Sequence, residues 1–169
     1  MIGRPKADEC SPYHTTYIDQ VPGRSPAKAL RDSKRELLAI LEKLTPEQWD
    51  QPYAPGKWTI KESLQHMIDT ERVFTYRALW VARGDRTALP GFNQEDFSDN
   101  AHANERTPAS LLTEYKAVRA ATTALFNSFN DGDWKKRGTA SGQPITVRAL
   151  YFITAGHERH HVEIFKRHL

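Results

Sequence analysis

Residues 146–167 read TVRALYFITAGHERHHVEIFKR. Thr146 is a natural N-cap, and the apolar positions after it recur at helical spacing. At about 100° per residue, Val147, Leu150, Tyr151, Ile153, Thr154, Ile164 and Phe165 fall on one arc. Val147 to Arg167 is therefore predicted as a helix with one buried face. His161 lies near the centre of that arc and His157 roughly 40° from it, so both are predicted to face inward. His160 falls at the edge, while Arg159 and Glu163 point away. A single histidine on an apolar face is usually a satisfied core residue. Two at i and i+4 lie one turn apart and can close on one metal ion. A buried imidazole needs a partner in any case, and one ion would satisfy both.

Three further helical patterns precede this one. The first is predicted from Pro26 to Leu44, with Ser25 as N-cap and Leu30, Ser33, Leu37, Leu41 and Leu44 as its stripe. Thr45-Pro46-Glu47 opens a short extra turn ending near Trp49, and residues 51–57 read as a loop. The second is predicted from Ile60 to Arg83, opened by a Thr59/Glu62 capping box and stopped by Gly84. Gly91 to Ala103 is a long polar connection with room for one helical turn. The third is predicted from Pro108 to Phe129, capped by Thr107 and closed by Asn130-Asp131-Gly132. Trp134 to Ile145 fits a short hairpin or an open loop. No segment alternates convincingly with period two. Four helices with apolar stripes predict an all-α four-helix bundle over residues 25–169. Residues 1–24, with Pro5, Pro12, Pro22 and Gly23, read as an irregular N-terminal arm.

The chain has 169 residues, enough for one domain with a proper core. Its net charge of +3 comes from 24 basic against 21 acidic residues, and the two signs are interspersed. Nucleic-acid binders gather Lys and Arg on one stripe, so no nucleic-acid partner is expected. No segment has the length and apolarity of a membrane span or a signal peptide, so the expectation is a cytoplasmic protein with no membrane partner. The single cysteine, Cys10, cannot form an intramolecular disulfide.

A third ligand for His157 and His161 has to come from upstream, because the chain ends soon after them. His14 and His102 sit in irregular polar segments. His66 lies in the second helix, roughly 100° from the centre of its apolar arc, where a ligand could reach sideways between helices. From geometry alone it is as readily a flanking residue as a ligand. Asp69 follows His66 by one turn and could orient it; Asp69 and His160 could equally be surface residues. Glu71 lies in the apolar arc and is expected to pair with an arginine of another helix.

His157 to His161 also spells H-E-x-x-H, the zinc-protease signature, in which Glu158 would act on a metal-bound water. Those enzymes take a downstream ligand on a mixed scaffold, and neither is present. Glu158-x-x-His161 resembles a di-iron motif, but the matching carboxylates are missing. Three histidines and one ion would leave a coordination position open, as in a catalytic site.

Further residues carry a resemblance across nearly the whole chain. They are Gly56-Lys57-Trp58-Thr59-Ile60-Lys61-Glu62, His66, Asp69-Thr70-Glu71-Arg72, Tyr76-Arg77-Ala78-Leu79, Ala82-Arg83-Gly84-Asp85 and Leu89-Pro90-Gly91-Phe92. Thr146 to Leu150, Gly156 to His161 and the arm around Tyr13 and Tyr17 complete the set. In these the chain resembles the DinB-like (YfiT-like) superfamily of proteins named as metal-dependent hydrolases. The resemblance implies an up-down-down-up bundle and a divalent metal, zinc or nickel, on His66, His157 and His161. It also implies a small-molecule substrate, a homodimer and, from relatives that are bacillithiol S-transferases or mycothiol-dependent maleylpyruvate isomerases, a low-molecular-weight thiol as cosubstrate. The expected function is a metal-dependent enzyme, hydrolase or thiol S-transferase, that activates water or a thiol. Glu158 is its expected base, and Asp69 and His160 support the site. The competing expectation is a non-catalytic metal-binding bundle, which would need a closed ligand set.

Overall fold

The computed structural model describes residues 2–21, 23 and 25–169. Pro22, counted in the expected arm, lies outside the described residues, as do Met1 and Arg24. The helices are α1 (Pro12–Ile18), α2 (Pro26–Leu41), α3 (Pro46–Trp49), α4 (Ile60–Ala82), α5 (Gln94–Asn100), α6 (Pro108–Asn127) and α7 (Val147–His168). The long ones begin where capping chemistry places them. The hydroxyls of Ser25, Thr59, Thr107 and Thr146 accept from the backbone N–H of Lys28, Glu62, Ser110 and Ala149. Glu62 completes the capping box by accepting from the Thr59 N–H at 2.8 Å. None of the described helices is long and apolar enough to cross a membrane.

Cross-helix pairs give the direction of each helix in the four-helix bundle. Gln65 meets Arg106, just ahead of α6, and Glu71, further along α4, meets Arg119 within α6, so α4 and α6 run parallel. Arg119 reaches both the Leu30 carbonyl and Glu158, while Lys166 pairs with Glu36, so α2 and α7 also run parallel. His66 sits beside His161, and Phe74 beside His157, so α4 and α7 are antiparallel. The course is up-down-down-up, and the connection carrying α5 returns the chain to the start of α6.

The core is not continuous. One apolar cluster gathers Leu30, Phe74, Ala78, Phe126 and Phe152 toward one end. A second gathers Leu37, Leu64, Ile68, Leu111 and Phe165 toward the other. Between them, at the same height on all four helices, lies a buried polar layer: Ser33, Thr70, Glu71, Arg119, Thr122, His157, Glu158 and His161.

The irregular arm is a correction. Residues 7–9 form a 3-10 turn, and α1 is a true helix packed on α7. Its sequence signal was Ser11-Pro12, an N-cap residue before a first-turn proline. The buried Glu9 carboxylate ties this segment down: Thr146 Oγ1 donates to it at 2.9 Å and Arg148 Nε at 2.5 Å. α2 ends at Leu41, one turn earlier than expected, and α5 exceeds the single turn expected in the connection. The 134–145 segment resolves to a hairpin, β1 (Arg137–Ala140) against β2 (Gln143–Thr146). Its two-residue loop, Ser141-Gly142, has φ of 53° and 70°, the left-handed pair that follows the twist of a hairpin.

Candidate metal centre

α4 and α7 bring His66, His157 and His161 together at the margin of the polar layer. One ring nitrogen from each lies within 4.8 Å of the others, and all three residues are buried. The Nε2 atoms of His66 and His157 are 3.0 Å apart. His161 Nδ1 is buried with no hydrogen-bond partner. Burial pushes the His66 imidazole down to about 4, with His160 adding to the effect. Burial also drives His157 and His161 well below the usual histidine range. The three rings are therefore neutral at pH 7, the state in which imidazole donates a lone pair to a metal.

Aromatic rings enclose the cluster. Trp58 lies tilted on His66 at 4.7 Å between centroids, and Tyr17 and Phe74 stand edge-on to His157 at 5.3 and 5.9 Å. Burial pushes the Tyr17 phenol up, so it stays protonated. Tyr17 reaches this position because residue 156 is glycine: a Cβ there would stand 1.8 Å from the Tyr17 carbonyl oxygen. A cavity of about 390 Å³ borders His66 and His157, walled by α1, Phe74, Arg77, residues 92–94 and the hairpin turn.

The supporting residues differ from expectation. Asp69 does not orient His66; its carboxylate accepts from Gln65 Nε2 at 3.0 Å and faces Arg72. Thr70, four residues after His66, is on the correct face, its hydroxyl 3.4 Å from His66 Nδ1. Glu158 is not among the groups converging with the histidines. Its carboxylate accepts from the Tyr115 hydroxyl and meets Arg119 Nη1 at 2.5 Å. Burial pushes the Glu158 carboxyl up to about 7, against the pull of Arg119. Glu71 pairs with an arginine of another helix as expected, taking both Nε and Nη2 of Arg119 at 2.9 and 2.5 Å. His160 stays at the margin, half-buried, its ring edge-on to Tyr17.

Arg77, for which the sequence suggests no role, lines the cavity. It follows His66 by eleven residues, which is within about 20° of three full turns. That spacing was the available signal.

Known proteins resemble this chain in sequence or in fold. A Geobacillus thermodenitrificans protein named "Putative metal-dependent hydrolase" is 29% identical over 140 residues, covering 79% of this chain and 76% of its own length. Bacillus subtilis YfiT, named in the same way, is 22% identical over 138 residues, covering 80% and 77%. The YfiT structure, described as "a probable metal-dependent hydrolase with an unusual four-helix bundle topology", superposes with a TM-score of 0.76 at 19% identity, over 96% of this chain and 89% of that one. The mycothiol-dependent maleylpyruvate isomerase structure superposes with a TM-score of 0.69 at 13% identity, over 86% of this chain but 61% of that one. The family model of the DinB superfamily matches residues 29–165. By that match, over most of its length, the chain belongs to the DinB superfamily.

Proposed function

We propose that His66, His157 and His161 hold one divalent ion, zinc or nickel, and that the chain is an enzyme acting on a small molecule in the adjoining cavity. The observation that carries this reading is the convergence of three neutral, buried imidazoles, one with an orphaned nitrogen. A buried ring nitrogen without a partner calls for one, and a single ion would take a lone pair from each of the three rings. No carboxylate or further histidine closes the set among the described residues. The open side meets a cavity, which favours a catalytic over a storage site.

When bound, such an ion supplies Lewis acidity toward water or a low-molecular-weight thiol. The chain's own groups do the rest. Thr70 fixes the outward nitrogen of His66, and Trp58, Tyr17 and Phe74 exclude bulk water around the rings. Glu158 and His160 do not line the cavity, so neither is proposed as a base. Glu158 instead holds Arg119, which ties α7 to α4 and α6.

The test uses protein purified without a nickel column. A divalent ion should co-purify at one per chain and be lost in a folded His161→Ala variant. Co²⁺ added to metal-free protein should quench the fluorescence of Trp58, and Trp58→Phe should remove that component. Turnover of electrophilic esters and halides, with and without added thiol, should depend on the ion. A His161→Ala protein that folds, keeps its metal and keeps its turnover would refute the site.

A further inference from the structure

Buried charges in this fold come with partners of opposite sign. Arg119 has Glu71 and Glu158, Glu9 has Arg148, Lys61 has Asp50 and Asp133 has Lys136. Arg77 is the exception among the described residues: 4% exposed, with no carboxylate in ion-pair range. Its Nη2 donates to the Pro90 carbonyl at 2.8 Å and to Ser141 Oγ at 3.1 Å. Its guanidinium carbon lies 5.8 Å from the centre of the Phe92 ring. Nε and Nη1 form no hydrogen bond with described residues, and the side chain lines the same cavity as His66 and His157. The nearby His14 imidazole is pushed down, by burial first and then by the Arg77 charge, so it adds no competing positive charge.

A buried guanidinium without a counter-ion is costly, and its planar fork matches a carboxylate. We infer that Arg77 binds the anionic group of the substrate, a carboxylate, and so places the rest of the molecule against the histidine site. Phe74 lines the same cavity as Arg77, His66 and His157, its ring 5.9 Å from that of His157. On this inference the anion and the reacting atom are separate groups of one ligand, joined by an apolar or aromatic segment that suits the Phe74 wall of the cavity. This extends the proposed function by naming a substrate class. Only the fate of the anchored molecule, not its anchoring, depends on the metal.

The experiment is an NMR titration of metal-free protein with benzoate and with its neutral counterpart benzamide. Benzoate should bind at least about tenfold more tightly, as a charge-assisted pair requires. Arg77→Met should abolish the preference, and Arg77→Lys should keep part of it. Arg77 also joins residue 90 to the hairpin turn, so a variant could lose structure. Thermal melts identify that case, and Arg77→Lys keeps the comparison within a folded protein. Equal binding of benzoate and benzamide to the wild-type chain would overturn the inference. So would a benzoate preference unchanged in folded Arg77→Met. Because the titration contains no metal, its failure leaves the histidine site standing, and loss of metal binding elsewhere leaves Arg77 standing.

Discussion

Gly156→Ala adds one methyl group and should cost the protein its docked N-terminal helix. In an isolated helix the change would be favourable by about 1 kcal/mol. Here the new Cβ would stand 1.8 Å from the Tyr17 carbonyl oxygen and 2.4 Å from its carbon, against an ordinary contact of 3.4 Å or more. α1 must retreat by about 1.6 Å to restore that contact. A gap of about 0.5–1 Å already forfeits a quarter to a half of a contact's attraction. Ile18 on α1, and Cys10 and Val21 flanking it, are all buried in one apolar cluster. Burying one such aliphatic side chain stabilises by roughly 1.5–3 kcal/mol, so losing a large part of two outweighs the helical gain. The expected net loss is about 1–2 kcal/mol, a fall in Tm of roughly 2–8 °C. Because the obstructing atoms are backbone, Tyr17→Ala should not rescue the variant. Urea melts give the stability, and the single thiol, Cys10, gives the location, since it should react faster with a thiol reagent as α1 lifts. A Gly156→Ala protein more stable than wild type, with unchanged Cys10 reactivity, would refute the close approach of α1 to α7.

Arg119→Met should destabilise by roughly 3–5 kcal/mol, because it strands Glu71 and Glu158 in the interior. Adding Glu71→Gln and Glu158→Gln should recover much of that in urea melts; no recovery would mean the loss came from packing. Metal-free protein should lose stability in acid. The folded-state pKa of His66 lies below its unfolded value near 6.5, so the unfolded chain takes up the proton first as pH falls. His66 stabilisation is thus complete above about 6.5 and lost as pH falls toward about 4, worth about 3 kcal/mol, and His157 and His161 act in the same direction. Urea midpoints measured in chelator from pH 7.5 to 5 should decline and flatten in a His66→Gln/His161→Gln double variant; a flat wild-type profile would contradict the burial argument. Added Zn²⁺ at about a hundred times its Kd should stabilise the chain by about 2.7 kcal/mol. That gain should vanish in His157→Ala.

The long helices were legible because their signals are local: caps at Ser25, Thr59, Thr107 and Thr146, and apolar stripes of helical period. The inward aim of His157 and His161 followed from the same wheel. His66 was less so, because a ligand on the flank of an arc is defined by the neighbouring helix rather than by its own. Glu158 faces away from the histidines for a related reason. Spacing placed it one turn from His161, but its direction is decided by Arg119 and Tyr115 on α6, which no reading of α7 contains. The α1 helix was obscured by prolines, although Pro12 starts it, and its place on α7 depends on Gly156, far away in sequence.

The polar layer between the two apolar clusters has a consequence for how the helices align. Apolar packing alone tolerates sliding, since one leucine can replace another a turn away. Moving α7 by one turn, about 5.4 Å, would carry Glu158 away from Arg119 and leave ions stranded in the interior. The Glu71–Arg119–Glu158 bridge thus works as a vernier mark, permitting one alignment of α4, α6 and α7. The histidines ride on two of those helices, on the same or the adjacent turn as the two glutamates. Their convergence is set by a charge pairing that itself never touches the cavity.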